Sequence, residues 1–425
     1  MNKIKNIKLA LIPYLFKWLF LTIIVGILSG SASAIFLKLL EWATETRKTH
    51  SVLILFLPIG GLIISLAYHY FGKEVAGGNN LILTEIHEPK RVIKFRMAPL
   101  VLIGTVGTHL FGGSAGREGS AIQMGASLAD QLTQIFSLNK SDRKILLISG
   151  IAAGFGSVFG TPLAGAIFGL EVFVIGKMSY EAIFPAFLSS IIADEVTRNW
   201  WHVHHSVYHV THIPEATLLN IILASFAGIF FGLAGHLFSF SVEKVKSFLT
   251  SKVKFAPMHA FWGGLAIVLL TFLFDTHRYN GLGLTTIAES FVVQMAWYVF
   301  LIKILFTAIT LGSGFKGGEV TCLFFIGATL GNALSTIIPL PMDLMASMGF
   351  VAIFAAASNT PIACIIMAIE LFGTGIELYA GISCITAYLF SGHASIYSTQ
   401  IIGTSKHESF KSSEGKSISE NSKFE

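Results

Sequence analysis

Charged residues are scarce in this sequence. Aspartate, glutamate, lysine and arginine together make up 12% of its 425 residues, about half of the share that is usual in soluble domains. Hydrophobic residues make up 53%. This composition excludes an ordinary soluble domain, and it excludes a disordered chain, which combines high charge with few hydrophobic residues. It predicts a polytopic membrane protein that has the lipid bilayer as its solvent.

A strongly basic surface is missing as well. The formal net charge is +5, and the lysines fall in short loops and at the chain ends instead of along one face, so we expect no nucleic-acid partner. The lysine clusters instead predict orientation, because positively charged segments stay on the cytoplasmic side of a membrane. Both termini are therefore expected in the cytoplasm, on the evidence of Lys3, Lys5, Lys8, Lys406 and Lys411.

Cysteine is also rare, which limits the possible metal and disulfide chemistry. The three cysteines, Cys322, Cys364 and Cys384, lie in apolar segments without metal-ligand spacing. We expect them to be small buried residues, with no metal and no cofactor. The histidine-rich segment 198–215 has neither a cysteine nor a helical partner for a zinc site, so we interpret it as a solvated outer loop that joins two halves of the chain.

Long uninterrupted apolar runs are few. Many apolar runs hold about 10 to 16 residues before a glycine, a proline or a charge, whereas roughly 20 residues are needed to cross the hydrocarbon. We therefore predict half-helices among the full spans. Such helices are tolerated at membrane depth only where protein buries them.

The stretch Gly112–Ser120 is the clearest interruption, and it places Arg117 and Glu118 at membrane depth. A helix that restarts near Arg117 directs unpaired N–H groups and the positive end of its dipole into the bilayer, which is costly unless an anion lies there. Glu118 or a transported ion can be that anion. A carboxylate at this depth is by default a hypothesis of function.

The same construction returns at 311–319, at an offset of 199 residues. Thr161-Pro162 and Thr360-Pro361 keep this offset, as do Glu171 and Glu370, for which we expect matching structural roles between the halves. Paired broken helices in two related halves predict a substrate site between them, near the midplane. We divide the chain into a cytoplasmic segment, two transmembrane repeats and a tail expected to be disordered, with the bounds 1–16, 17–205, 206–404 and 405–425.

One alternative is an enzyme. Gly112-x-Ser114-x-Gly116 matches the nucleophile elbow of serine hydrolases, which follows a strand and precedes a helix. No strand pattern is visible there, and Ser313 repeats the position of Ser114 in the other half. We therefore disfavour an intramembrane hydrolase.

With these residues in view, the chain resembles the CLC family of chloride channels and anion/proton antiporters, over nearly all of its transmembrane part. Residues 116–120 resemble the family motif GREGP, which carries the external gating glutamate, with Ser120 in place of proline. Residues 162–165 resemble the PLAG segment. Residues 317–322 align with GGIFAP, whose backbone N–H groups coordinate the anion, and Tyr397 lies where the family places its inner coordinating tyrosine.

Three departures from the chloride-transporting pattern make the chain most similar to the fluoride/proton antiporter branch of that family. Asn79 stands where the chloride-transporting relatives have a serine, and asparagine offers two N–H donors to a small, strongly hydrated anion. Val172 stands where the chloride exchangers have a proton-relaying glutamate. Glu319 replaces the isoleucine of GGIFAP.

The resemblance implies an all-α polytopic membrane protein with a CLC-type fold of two inverted repeats with broken and re-entrant helices. It further implies a homodimer in a bacterial cytoplasmic membrane that exports fluoride in exchange for protons. A CLC-type chloride/proton antiporter or a passive anion channel is the alternative. The residues expected to gate or transfer protons are Glu118, Glu319 and Thr321, and those expected to bind the anion are Asn79, Arg117, Gly119, Gly318, Val320 and Tyr397.

Overall fold

The computed structural model describes residues 2–421, and it consists of helices apart from one short parallel strand pair. The first repeat contains α1 Asn2–Thr49, α2 Leu57–Phe71, α3 Asn79–His87, α4 Met97–Leu110, α5 Glu118–Ile135, α6 Lys140–Phe159, α7 Pro162–Glu171 and α8 Ile183–Glu195. The second contains α9 Leu218–Lys252, α10 Pro257–Leu273, α11 Leu284–Glu289, α12 Val299–Gly312, α13 Val320–Leu334, α14 Met342–Ser358, α15 Pro361–Phe372 and α16 Glu377–Phe390. Strands β1 Val174–Ile175 and β2 Ile401–Ile402 pair in parallel, and α17 Ile418–Asn421 ends the described chain.

Helix lengths confirm the mixture of full spans and half-helices. Within residues 2–421, three helical segments are long and apolar enough to cross a bilayer: Leu11–Thr49, Ser51–Phe71 and Leu218–Lys252. Other apolar helices have only 10–17 residues. Among these, α13 and α14 are buried along almost their whole length, so their ends meet protein instead of lipid, as unpaired backbone groups at membrane depth require.

The two repeats match helix by helix, but with a change of offset that the sequence pattern did not indicate. The prolines that begin α7 and α15 lie 199 residues apart, as predicted. At the breaks the structural equivalents are Gly112 and Gly314, with φ of 89° and 92°, so the offset there is 202. The difference arises because α14 has 17 residues where α6 has 20.

Glycines inside α6, among them Gly154 and Gly156, do not interrupt the helix. A Cβ at Gly154 would lie 2.4 Å from the carbonyl oxygen of Ala121, and one at Gly156 would lie 2.2 Å from Ser190 Oγ. These glycines therefore allow close packing of neighbouring helices. The chain breaks only at Gly160, which has a φ of 73° and precedes the proline that begins α7.

The tail from residue 405 to residue 421 is ordered, so the prediction of a disordered tail was wrong for this part. Its chain returns beside β2, where Ile402 N–H donates to Lys416 O over 3.0 Å. Lys406 Nζ donates to Tyr388 O and Gly392 O, which lie at the end of α16 where carbonyl groups lack helical partners. Met1 and residues 422–425 of the expected terminal segments lie outside the described residues.

Residues 201–217, here called the linker, join the repeats without regular secondary structure. The interpretation of this segment as a solvated loop holds for His202 and His209, which are exposed, but not for Val203 and Tyr208, which are buried. The linker therefore packs onto the helices instead of standing free.

Candidate functional site

The two breaks meet at the centre of the molecule. Gly116 N–H donates to Gly318 O over 2.6 Å, and Gly318 N–H donates to Gly116 O over 2.9 Å. This reciprocal pair forms a short antiparallel bridge between the repeats. The N-termini of α5 and α13, which follow the two glycines, are thereby brought to one place, and helix N-termini stabilise anions.

Glu118 is the first residue of α5 and is fully buried. Its carboxylate accepts hydrogen bonds from the backbone N–H of Thr321 over 3.0 Å and from the Thr321 hydroxyl. The backbone N–H of Arg117 also donates to it, and Arg117 Nε lies 3.6 Å from Glu118 Oε1. A side chain of the first repeat therefore occupies the helix N-terminus of the second, where an anion would be bound.

Asn79 and Glu319 lie next to this point. A Cβ placed on Gly119 would lie 2.9 Å from Asn79 Nδ2, 3.1 Å from Gly318 Cα and 3.6 Å from Glu319 Oε2. Glycine at 119 therefore leaves the space in which the amide, the carboxylate and the backbone of the second repeat come together. Asn79 reaches it because α3 begins there, after Gly78 with a φ of 56°.

Several polar atoms here make no hydrogen bond among the described residues. Asn79 Oδ1, Arg117 Nε, Glu319 Oε2 and Tyr397 OH are buried, and none has a hydrogen-bond partner among the described residues. Buried polar groups are almost always paired, so a cluster of unpaired ones indicates a site that is completed by an ion or water. Val320 begins α13 beside them and is fully buried.

Two cavities flank the buried glutamate. The asparagine cavity has about 10 Å³ open to the centre of a water-sized sphere, and it is lined by Asn79 and Tyr397 together with apolar residues of α3, α5, α6 and α7. The linker cavity has about 20 Å³ on the same measure, and it is lined by Arg117, Thr321, residues of the linker and apolar side chains. The predicted site residues thus form one continuous group between the two cavities.

The break before Arg117 is held by the second repeat. Asn280 Nδ2 donates to Gly112 O over 2.9 Å, and Gly281 N–H donates to Gly113 O over 3.1 Å. These bonds satisfy carbonyl groups that a broken helix leaves free in a nonaqueous interior.

The hydrolase alternative receives no support from the surroundings of Ser114. Its hydroxyl shares a hydrogen bond of 2.9 Å with Thr307 Oγ1, and its N–H donates to Thr310 Oγ1. Threonine cannot act as the base that a serine nucleophile requires. The segment also follows helix α4 and not a strand.

Sequence reasoning missed the group that positions Asn79. The backbone and side-chain oxygens of Asn80 accept hydrogen bonds from Thr399, at 3.1 Å and 3.2 Å for its hydroxyl. This contact joins the start of α3 to the segment that carries Tyr397. Nothing in the sequence indicates it, because the two residues are 319 positions apart.

Fold and site together define a multi-pass membrane protein of the inverted-repeat class, with a candidate ion site at the junction of its halves. The family described as "Voltage gated chloride channel" matches residues 60–392. The chain belongs to this family, the CLC family of anion channels and anion/proton antiporters.

The names of individual relatives refer to chloride, to fluoride or to both. A "Chloride/fluoride channel protein" of Pseudomonas syringae pv. tomato is 50% identical over 406 residues, which cover 94% of this chain and 90% of the relative. The crystal structure of a CLC-type fluoride/proton antiporter superposes with a TM-score of 0.88 at 36% identity, over 91% of this chain and 98% of that one. An H(+)/Cl(-) exchange transporter of Cronobacter sakazakii is 27% identical, over 91% of this chain and 89% of the relative.

Proposed function

We propose that the protein is a fluoride/proton antiporter that exports cytoplasmic fluoride in exchange for protons. The observation that carries the proposal is the position of Glu118, whose carboxylate fills an anion position between two cavities. An anion and a protein carboxylate compete for one set of N–H and O–H donors. Protonation of the carboxylate therefore releases these donors to the anion, which couples proton movement to anion movement.

In the proposed cycle, charged Glu118 is held by Thr321 and by the backbone N–H of Arg117. Protonation removes the charge that makes these hydrogen bonds strong, so the side chain leaves and fluoride takes its place. Glu319 stands beside Asn79 with an unpaired oxygen. We assign to it the transfer of protons between the asparagine cavity and Glu118, with the Thr321 hydroxyl as the intermediate donor.

We propose fluoride instead of chloride because of the hydrogen-bond donors around the site. A small, strongly hydrated anion must receive several good hydrogen bonds in exchange for its water, and Asn79, Tyr397 and the backbone around Gly119, Gly318 and Val320 can offer them. The fluoride antiporter structure resembles the chain more closely than the chloride exchanger does, at 36% against 27% identity. The Pseudomonas syringae relative is named a chloride/fluoride channel protein, so a passive anion channel is the second candidate function.

Orientation and assembly belong to the same proposal. We place the protein in a bacterial cytoplasmic membrane with both termini inside, so that the linker faces outward. We also propose that the protein is a homodimer.

The test is ion exchange in liposomes that contain the purified protein. Fluoride efflux with matching proton uptake is expected, and Glu118→Gln should abolish the coupled movement because it cannot carry a proton or a charge. Glu243→Gln, a change on the exposed end of α9, is the matched control. Chloride efflux as fast as fluoride efflux would refute the fluoride assignment, and anion flux without proton movement would make the protein a channel.

A further inference from the structure

The linker covers the cavity on one side of Glu118. Arg117 and Thr321 line this cavity from the helices, and Ser206 and Tyr208 line it from the linker. Ser206 is exposed at the mouth, whereas Tyr208 is 9% exposed. An ion that leaves Glu118 on this side therefore meets the linker before it meets water.

The linker is anchored over the cavity. Asp343, at the start of α14, accepts hydrogen bonds from Thr211 N–H over 2.8 Å and from His212 N–H over 3.1 Å. The Tyr379 hydroxyl contacts the carbonyl oxygens of Pro214 and Glu215 at 3.1 Å and 2.9 Å. These contacts hold a segment without helix or strand in one place.

The Tyr208 ring is fixed by aromatic neighbours from three parts of the second repeat. Its centroid lies 5.4 Å from that of Phe291, 5.5 Å from that of Phe350 and 6.2 Å from that of Phe372. Ring packing alone would be satisfied equally by phenylalanine. The hydroxyl is therefore the part of Tyr208 that the packing does not explain.

Charge and polarity suit an anion in this cavity. Arg117 Nε is buried and makes no hydrogen bond among the described residues, although it lies 3.6 Å from the Glu118 carboxylate, and the other walls are aromatic and aliphatic, including Phe159, Leu284 and Phe324. Apolar walls focus the field of a charge that lies between them. Burial raises the pKa of Tyr208, against the opposing effects of Arg117 and Ser206, so its hydroxyl remains protonated and can donate.

We propose that the linker cavity is a staging site for one small halide, in which Arg117 supplies charge and the Tyr208 and Ser206 hydroxyls supply hydrogen bonds. The inference rests on the proposed anion transport and adds a binding position that lies beyond Glu118. About 20 Å³ of the cavity is open to the centre of a water-sized sphere, which is room for one small ion that has lost most of its water, since a single water needs about 10 to 15 Å³ on this measure.

The test compares Tyr208→Phe and Ser206→Ala with the unmodified protein. Halide binding is measured by titration calorimetry in detergent with sodium fluoride and with sodium chloride, and exchange is measured in liposomes at rising external halide. Tyr208→Phe keeps the ring and should weaken one binding event and raise the half-saturating external halide roughly tenfold, as the loss of a hydrogen bond to a charged ligand predicts. Tyr180→Phe, at an exposed tyrosine, is the control.

The staging site and the fluoride assignment can be tested independently of each other. If the unmodified protein carries chloride instead of fluoride, the same titrations are run with chloride, and the staging site is still tested. Unchanged binding and unchanged half-saturation in both Tyr208→Phe and Ser206→Ala overturn the staging site even where exchange is intact. Loss of function in Tyr208→Ala alone, with Tyr208→Phe normal, would assign Tyr208 a purely structural role.

Discussion

Glu171 and Glu370 each cap the helix that carries the other. The Glu171 carboxylate, at the end of α7, accepts hydrogen bonds from the first N–H groups of α15, at 3.2 Å and 2.9 Å. The Glu370 carboxylate, near the end of α15, accepts from the first N–H groups of α7, at 2.9 Å and 2.7 Å. The expectation of matching structural roles between the halves is confirmed. Each carboxylate meets the positive end of the opposite helix dipole.

Removal of either cap should destabilise the protein. Glu171→Gln and Glu370→Gln each exchange a charged acceptor for a neutral one, and we expect each to lower the free energy of unfolding by about 1 to 3 kcal/mol. Thermal unfolding in detergent measures this, with Glu243→Gln as the surface control. Because the two caps belong to one interface, the double variant should depart from additivity. Normal stability together with lost proton coupling in Glu171→Gln would instead place Glu171 on the proton route.

Asn79→Ser should reduce the preference for fluoride over chloride. The substitution removes one N–H donor beside Gly119 and Glu319, and the loss of one hydrogen bond to an anion corresponds to roughly a tenfold change in preference. Initial efflux rates of the two halides, read with ion-selective electrodes, give the ratio. Asn199→Ser, at an exposed asparagine, should leave the ratio unchanged. An unaltered ratio in Asn79→Ser would show that the selective donors lie elsewhere.

Arg143 should be essential for stability because it joins three elements beneath the site. Its guanidinium donates to Asp130 through Nε and Nη2, both at 2.8 Å, to Glu85 Oε2 at 2.9 Å, and to Arg91 O. Glu85 lies in α3, the helix that begins at Asn79.

Arg143→Met leaves two buried carboxylates without their cationic partner, although backbone N–H groups still donate to both, and we expect a loss of about 3 to 5 kcal/mol in the free energy of unfolding. Arg143→Lys keeps the charge but cannot form the fork, so it should recover only part of this loss. Lys140→Met, one turn earlier on α6 and exposed, is the control. Equal stability of the Arg143→Met and Lys140→Met variants in chemical unfolding would contradict the prediction.

Acidification should loosen the linker through His205. Burial, together with the smaller effects of Arg117, Arg198 and His204, lowers the pKa of His205 to about 4, while the Asp194 carboxylate lies 3.8 Å away. The docked linker holds this imidazole neutral, whereas in the released linker its pKa returns to the ordinary value of 6.5. Docking is therefore fully stable above that value and weakens as the pH falls from 6.5 towards 4, by about 3 kcal/mol in all.

Hydrogen exchange of the linker amides measures this effect. Exchange corrected for its intrinsic pH dependence should quicken between about pH 7.5 and about pH 5 in the unmodified protein, because docking opposes protonation. His205→Gln cannot titrate and should show no such acceleration, whereas His209→Gln, at an exposed histidine, should behave like the unmodified protein. Equal acceleration in His205→Gln would attribute the effect to another group.

Residues of the candidate site could be predicted from the sequence where the signal lay within a short stretch of residues. Glycines that interrupt an apolar run, and a carboxylate at that depth, made Glu118 and Glu319 visible because both features cost free energy in a membrane unless function or protein contacts compensate. The proline starts of α7 and α15 could be predicted as well, since proline is favoured in the first turn of a helix.

Features that depend on distant partners could not be predicted. The tail packs beside β2, and β2 pairs with β1 of the other repeat. The burial of Tyr208 depends on three aromatic rings that are spread over some 80 residues. The role of the glycines in α6 could not be predicted, because a glycine that breaks a helix and one that allows a neighbouring helix to pack closely look alike in one sequence. Only the position of Ala121 and Ser190 distinguishes the two cases.

The reciprocal hydrogen bonds between Gly116 and Gly318 limit how access to the ion can alternate. Because the halves are joined beside Glu118, they cannot roll over one another there without rupturing both bonds. In the proposed exchange, we therefore expect access to alternate through movement of the Glu118 side chain. The outline that the protein presents to lipid should then stay nearly constant during turnover, and the turnover rate should be insensitive to the thickness and stiffness of the surrounding bilayer.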